Sequence, residues 1–201
     1  MSVYDEVCKA TGVVNQAISP FRPKVGVILG SGLGEFAEKH ITGSENDCIK
    51  VVDYSEIPGF AQSKIKGHKG KLVAGRCGDT DVVALQGRVH LYEGYPLSQV
   101  VLPARTLVKL GCEVLIITNA CGGVNTALEP GDLALITDHI NFTGQNPLVG
   151  EDDNRLGTRF PDMSEVYSKE LRGLAIEQAN QLGISLRQGV YMWMLGSSYE
   201  T

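Results

Sequence analysis

Short apolar runs rich in β-branched residues recur along this chain, each closed by glycine or a polar turn. Residues 24–29 (KVGVIL) lack polar/apolar alternation and end on a glycine cluster, which predicts a strand buried on both faces that enters a tight loop. Residues 82–85 and 113–117 read the same way, 49–52 and 133–137 are further strand candidates, and 189–195 (GVYMWML) is a last buried strand. Residues 71–74 and 81–84, joined across Cys77-Gly78-Asp79-Thr80, form a hairpin pattern, so the sheet is expected to be mixed. Residues 98–110 are amphipathic at helical spacing, with Pro103 either near the helix start or kinking it. A second helix is expected over 164–182, with Ser164 as N-cap, Glu165 in the first turn and Gly183 at the left-handed C-terminal position. Strands and helices alternate, which predicts an α/β fold: one domain over residues 1–201, with a mixed central β-sheet flanked by helices. The longest unpatterned segment, 141–162, is rich in Gly, Asn, Pro and charge, as functional loops of that length are.

Composition narrows the partners. At 201 residues and 43% hydrophobic, the chain suffices for one sizeable core and is short for two ordinary domains. The net charge of −5 comes from interspersed acids and bases, a distribution without the footprint of a nucleic-acid or anionic-membrane binder, so small molecules or further copies of the chain are the expected partners. Five cysteines (Cys8, Cys48, Cys77, Cys112, Cys121) form no CxxC pair, which fits reduced thiols in a cytoplasmic protein. The N-terminus is mixed and acidic, and no apolar stretch reaches the ~20 residues of a membrane span, so a soluble, unexported protein is expected.

Four segments carry candidate chemistry. GSGLG at 30–34 directly follows a strand; its glycines let backbone N–H groups approach an anion, and Ser31 adds a hydroxyl. No Gly-Lys-Ser/Thr follows, which excludes a Walker loop. A dinucleotide fold is the rival reading, because Asp53 ends a strand-like run where a ribose-binding acid would lie; against it, the fingerprint needs a small residue at position 35 and finds Glu35. GRVHLYEG at 87–94 sets Arg88, His90 and Tyr92 on one side if the strand direction continues, bringing a forked cation, an imidazole and a phenol to one place. TNACGG at 118–123 is a loop of small residues at a strand's C-terminal end, where Cys121 reads as a packed thiol. GSSYET at 196–201 offers an aromatic face and a carboxylate, suited to a stacked base. The four histidines lack metal-ligand spacing, and no metal is expected.

Taken in order, these segments resemble the trimeric purine nucleoside phosphorylases. GSGLG at 30–34, GHKG at 67–70, GRVHLYEG at 87–94, TNACGG at 118–123, DHINFTGQNPLVG at 138–150, RFPDMS at 159–164 and GSSYET at 196–201 match seven motifs in family order. The resemblance implies a nucleoside phosphorylase-like fold and the phosphorolysis of 6-oxopurine nucleosides, such as inosine and guanosine, to free base and (deoxy)ribose 1-phosphate. It implies no cofactor beyond inorganic phosphate as co-substrate, and a cytoplasmic homotrimer active in purine salvage. Ser31, His68, Arg88, His90 and the amide of Ala120 would hold phosphate, and Tyr92 would touch phosphate or ribose. Phe160 would pack against the ribose of a neighbouring subunit's site, Tyr199 would line the base pocket, and Glu200 would accept from N1 and the exocyclic donors of the purine. His90 and Glu200 are the catalytic candidates.

Three departures accompany the match. Cys121 replaces the second Ala of TNAAGG, a modest gain in volume. Ser197 replaces the Pro of GPSYET, which frees φ and adds a backbone donor before Tyr199. Family members continue past position 201 with a phosphate-contacting Ser, a Met under the ribose, a His near its 5′-hydroxyl and an Asn at purine N7 and O6, so the last elements of the fold are expected to be missing. The alternatives are a xanthosine-preferring phosphorylase and a truncated, non-catalytic purine- and phosphate-binding homologue.

Overall fold

The N-terminal helix follows from three apolar positions and a cap. Val7, Ala10 and Val14 recur at helical spacing and are buried along α1 (Val3–Ala17). Ser2 starts the helix: its hydroxyl accepts from Asp5 N at 3.2 Å, while the Asp5 carboxylate accepts from Ser2 N at 3.0 Å. In the computed structural model the described residues are 2–44, 47–63, 69–150 and 152–198. Their contacts fall into two compact units, Met1–Ala120 and Cys121–Thr201.

The first unit is built on a five-stranded mixed sheet. Its strands are β1 (Val25–Leu29), β2 (Lys50–Asp53), β3 (Lys71–Cys77), β4 (Thr80–Gln86) and β5 (Val114–Ile117), in the order β2-β3-β4-β1-β5. The apolar runs are continuous because both faces are covered. Val83 and Leu85 of β4, with Leu72, Ala74 and Ile28, join the cluster that contains Val7, Val14, Leu102 and Leu107. The alternate residues Val82 and Ala84, with Val73, Val27 and Leu29, pack on the other side with Ala37 and Ile41. The expected hairpin is present, β3 and β4 pairing antiparallel from Lys71↔Gln86 to Cys77↔Thr80, with Gly78 at φ +60° in the turn. Helix α2 (Glu35–His40) follows the glycine loop, and α3 (Leu97–Leu110) connects β4 to β5. Pro103 lies mid-helix in α3, where the missing N–H leaves the ladder one bond short.

The second unit contains β6 (Leu133–Asn141), α4 (Lys169–Gln181) and β7 (Leu186–Trp193), with the two strands parallel and a register shift between Ile136 and Asp138. The N-cap of helix α4 is Ser168, four residues later than the N-cap expected at Ser164. The Ser164 amide donates to the Asp162 carboxylate at 2.8 Å in an Asx turn, and the Ser168 hydroxyl instead accepts from Leu171 N and caps the helix. Gly183 takes the left-handed conformation expected, at φ +66°. The long polar segment after β6 is organised by side-chain bonds: Asn141 accepts from the Thr143 amide, Asn146 from the Leu148 amide, and Arg159 Nη1 donates to the carbonyls of Leu148 and Gly150.

Neighbouring positions on α3 test this packing. Leu107 is fully buried and Val108 is 57% exposed. Leu107→Ala is expected to lower the unfolding free energy by about 2–5 kcal/mol and Val108→Ala by no more than about 0.5 kcal/mol, read from urea unfolding monitored by circular dichroism.

Candidate functional site

Strand β1 runs parallel to both its neighbours, Leu29 opposite Gln86 of β4 and Ile28 opposite Ile117 of β5. The chain therefore leaves all three strands at one sheet edge. The loops that begin at Gly30, Gly87 and Thr118 emerge side by side, and β1 is where the connections diverge to opposite sides. Three of the four candidate segments are thus brought together by register alone.

Thr118 joins these loops. Its Oγ1 accepts from the Gly30 amide at 2.9 Å and donates to the Ile28 carbonyl at 3.3 Å, and its own carbonyl accepts from Arg88 Nη1 at 3.0 Å. Ser31, the next residue of the glycine loop, is exposed, and Gly32 makes the turn at φ +83°. Ala120, the candidate amide donor, is exposed two residues beyond Thr118.

The expected alternation of Arg88, His90 and Tyr92 along a continuing strand does not occur. Strand β4 ends at Gln86, and residues Leu91–Glu93 form a 3-10 turn that closes on Gly94 at φ +87°. The turn is held by Glu93, whose Oε1 accepts from the His90 amide at 2.8 Å and lies 3.2 Å from His90 Nδ1. The turn still brings His90 and Tyr92 together, now as stacked rings with centroids 4.8 Å apart. Ser63 donates to the other Glu93 oxygen at 2.9 Å. An ionised Glu93 accepts from Nδ1–H, which leaves Nε2 as the exchangeable nitrogen of the imidazole. Burial pushes the His90 pKa below its ordinary value; the bond to Glu93 opposes this and the nearby Arg88 charge adds to it. Upstream, Tyr54 donates from its buried hydroxyl to the Gly87 carbonyl at 2.8 Å, fixing the residue before Arg88.

Phe160 belongs to the second unit and is 88% exposed. His68, Tyr199 and Glu200 lie outside the described residues. Asp53 does not serve the dinucleotide reading: β2 is an edge strand antiparallel to β3, and the Asp53 side chain caps the following turn by accepting from the Ser55 amide and hydroxyl. Glu35 pairs with Lys39 at 2.7 Å. Cys121 is exposed, whereas it was expected to be packed. Among the described residues no cluster of three or more His, Cys, Asp or Glu could hold a metal ion, and no helix is long and apolar enough to cross a membrane. Sequence reasoning missed Thr118, Glu93 and Tyr54 as supports; the spacing of three from His90 to Glu93, that of a capping box, was the one local signal.

His90 provides a pH test. Its imidazole, followed by two-dimensional NMR, should titrate below 6.5, and Glu93→Gln should lower the value further by removing the opposing carboxylate charge. Because folded His90 binds its proton less readily than the unfolded chain does, its contribution to stability is intact above 6.5 and is lost as pH falls through that value toward the lowered one.

Comparison with known proteins bears on this arrangement. The family described as the Phosphorylase superfamily matches residues 24–201. Purine nucleoside phosphorylase 1 of Geobacillus stearothermophilus is 51% identical over 182 residues, covering 90% of this chain and 64% of that protein. Purine nucleoside phosphorylase 1 of Bacillus subtilis is 47% identical over 197 residues, covering 98% and 70%. The crystal structure of isoform 2 of purine nucleoside phosphorylase from Schistosoma mansoni, in complex with cytosine and ribose-1-phosphate, superposes with a TM-score of 0.87 at 39% identity, covering 98% of this chain and 69% of that one. The chain thus spans about two thirds of the length of these relatives. With the family pattern running from before β1 to residue 201, the chain belongs to the purine nucleoside phosphorylases of the phosphorylase superfamily.

Proposed function

We propose that this chain carries a site for the phosphorolysis of 6-oxopurine nucleosides, such as inosine and guanosine, to free base and (deoxy)ribose 1-phosphate. The supporting observation is the convergence of Arg88 and two small-residue loops, 30–34 and 118–120, at the edge where β1, β4 and β5 end. The ribose-1-phosphate in the Schistosoma mansoni complex, a sugar phosphate, supports the same reading. Ser31, His68, Arg88, His90 and the Ala120 amide are the phosphate contacts in this proposal, and Tyr92 touches phosphate or ribose. Tyr199 and Glu200 recognise the base. The glycosidic bond breaks toward an oxocarbenium-like state and phosphate attacks the anomeric carbon from the face opposite the base. Arg88 and His90 hold that anion against the developing positive sugar, a placement and charge effect that uses no protein nucleophile and no cofactor.

Residues 1–201 are proposed as one nucleoside phosphorylase domain, since the family match crosses both compact units without a break. The assembly is proposed as a cytoplasmic homotrimer. Outward presentation of Phe160 supports its use at a neighbouring copy's ribose, and five free cysteines support the compartment.

The deciding assay follows base release from inosine, guanosine and xanthosine with and without inorganic phosphate. Release from inosine or guanosine only in the presence of phosphate is expected, with Arg88→Ala lowering kcat/KM for phosphate by about 10²-fold or more. Phosphate-independent release overturns the reaction class, and faster release from xanthosine overturns the base preference. Binding of phosphate and purine without turnover replaces catalysis with a binding role.

A further inference from the structure

Gly30 is buried between two chain segments. A Cβ there would lie 2.6 Å from the Thr118 carbonyl oxygen, 2.9 Å from Asn119 Cα and 3.0 Å from Arg88 Nη1. The absence of a side chain at position 30 therefore lets β1 and the start of the 118–123 loop touch, with the guanidinium beside them. Thr118 uses that closeness three times. Its hydroxyl takes the Gly30 amide, the first N–H of the glycine loop, and returns its own hydrogen to Ile28; its carbonyl takes one N–H of Arg88. The Thr118 amide adds a bond to the Ile28 carbonyl at 3.0 Å. Fastened on both sides, Thr118 sets where the glycine loop starts and helps orient the guanidinium.

We propose that Thr118 is a positioning residue for anion binding, its hydroxyl and carbonyl holding the glycine loop and Arg88 in a single frame. This deepens the phosphate reading given above and rests on it. A residue that merely ended β5 would contribute stability and nothing more. One that sets the frame controls phosphate affinity at temperatures where every variant is fully folded, because without the hydroxyl acceptor the Gly30 amide loses its bond and the loop start shifts relative to the guanidinium.

The test measures binding of inorganic phosphate to the whole chain by isothermal titration calorimetry, with melting followed by circular dichroism. Thr118→Val keeps the β-branched shape and removes the acceptor; Thr118→Ser keeps the hydroxyl and removes a methyl. T118V is expected to weaken phosphate binding by roughly tenfold, with T118S within about twofold of the parent, both measured well below their melting temperatures. Equal affinity of T118V and the parent, with only a lowered melting temperature, overturns the proposal, as does equal weakening in T118V and T118S. If T118V melts too low, Thr118→Cys against T118S makes the same comparison, a weak sulfur acceptor against a hydroxyl of matching shape. A parent chain that binds no phosphate overturns the phosphate reading itself, an outcome distinct from the other two.

Discussion

Parallel pairing of β1 with β4 on one side and β5 on the other is the constraint on which the first unit depends. Parallel strands require crossover connections, and helices cover both sheet faces: the N-terminal α1 and the β4–β5 crossover α3 contribute to one apolar cluster, Ala37 of α2 to the other. Burial of both faces fixes register, because a slip of one residue would exchange Val83 and Leu85 with Val82 and Ala84 between clusters that differ in shape. With register fixed, the carboxyl ends of three strands are level. The alignment of the three loops at that edge is therefore a consequence of core packing.

That edge is assembled largely from uncharged contacts, and its few ionisable groups are held by specific partners. Arg88 is steered by a carbonyl, an acceptor that orients the guanidinium. His90 is braced by Glu93 through its amide and ring, while burial pushes its pKa below the ordinary value. In the proposed phosphate site, on a chain of net charge −5, attraction of the anion is local: a guanidinium among backbone donors, without a broad basic surface.

The strands were legible because burial on both faces leaves uninterrupted apolar runs, and the β3–β4 hairpin because its turn is made of Cys-Gly-Asp-Thr between matched runs. Helix α1 is poorly legible in the sequence, although Ser2 and Asp5 spell a capping box and Val7, Ala10 and Val14 the stripe; the stripe is narrow, and Val13 and Val3 blur it. The start of α4 is ambiguous in the sequence because Ser164 and Ser168 each have a glutamate within the next two residues, and only the competing carboxylate of Asp162 decides between them. The support given by Thr118 had no local signature at all. Its partners lie 88 and 30 positions away and exist only once the three strands are aligned.

The glycine loop shows how one motif hides several causes. Read as sequence, the glycines of 30–34 suggest backbone freedom near an anion. In the fold only Gly32 needs a positive φ. Gly30 is excluded from having a side chain by protein backbone, with Thr118 O 2.6 Å from where a Cβ would sit. Gly34 precedes α2 in helical geometry, and its carbonyl accepts from the buried side chain of Gln86 at 2.8 Å, the last residue of β4. The entry of the loop is thus tied to β5 through Thr118 and its exit to β4 through Gln86, leaving Ser31 to Leu33 as the exposed stretch between two fixed points. A loop pinned at both ends loses less entropy when its amides close on a ligand than a free one does, so anchors invisible in the motif lower the entropic cost that such a closure would carry.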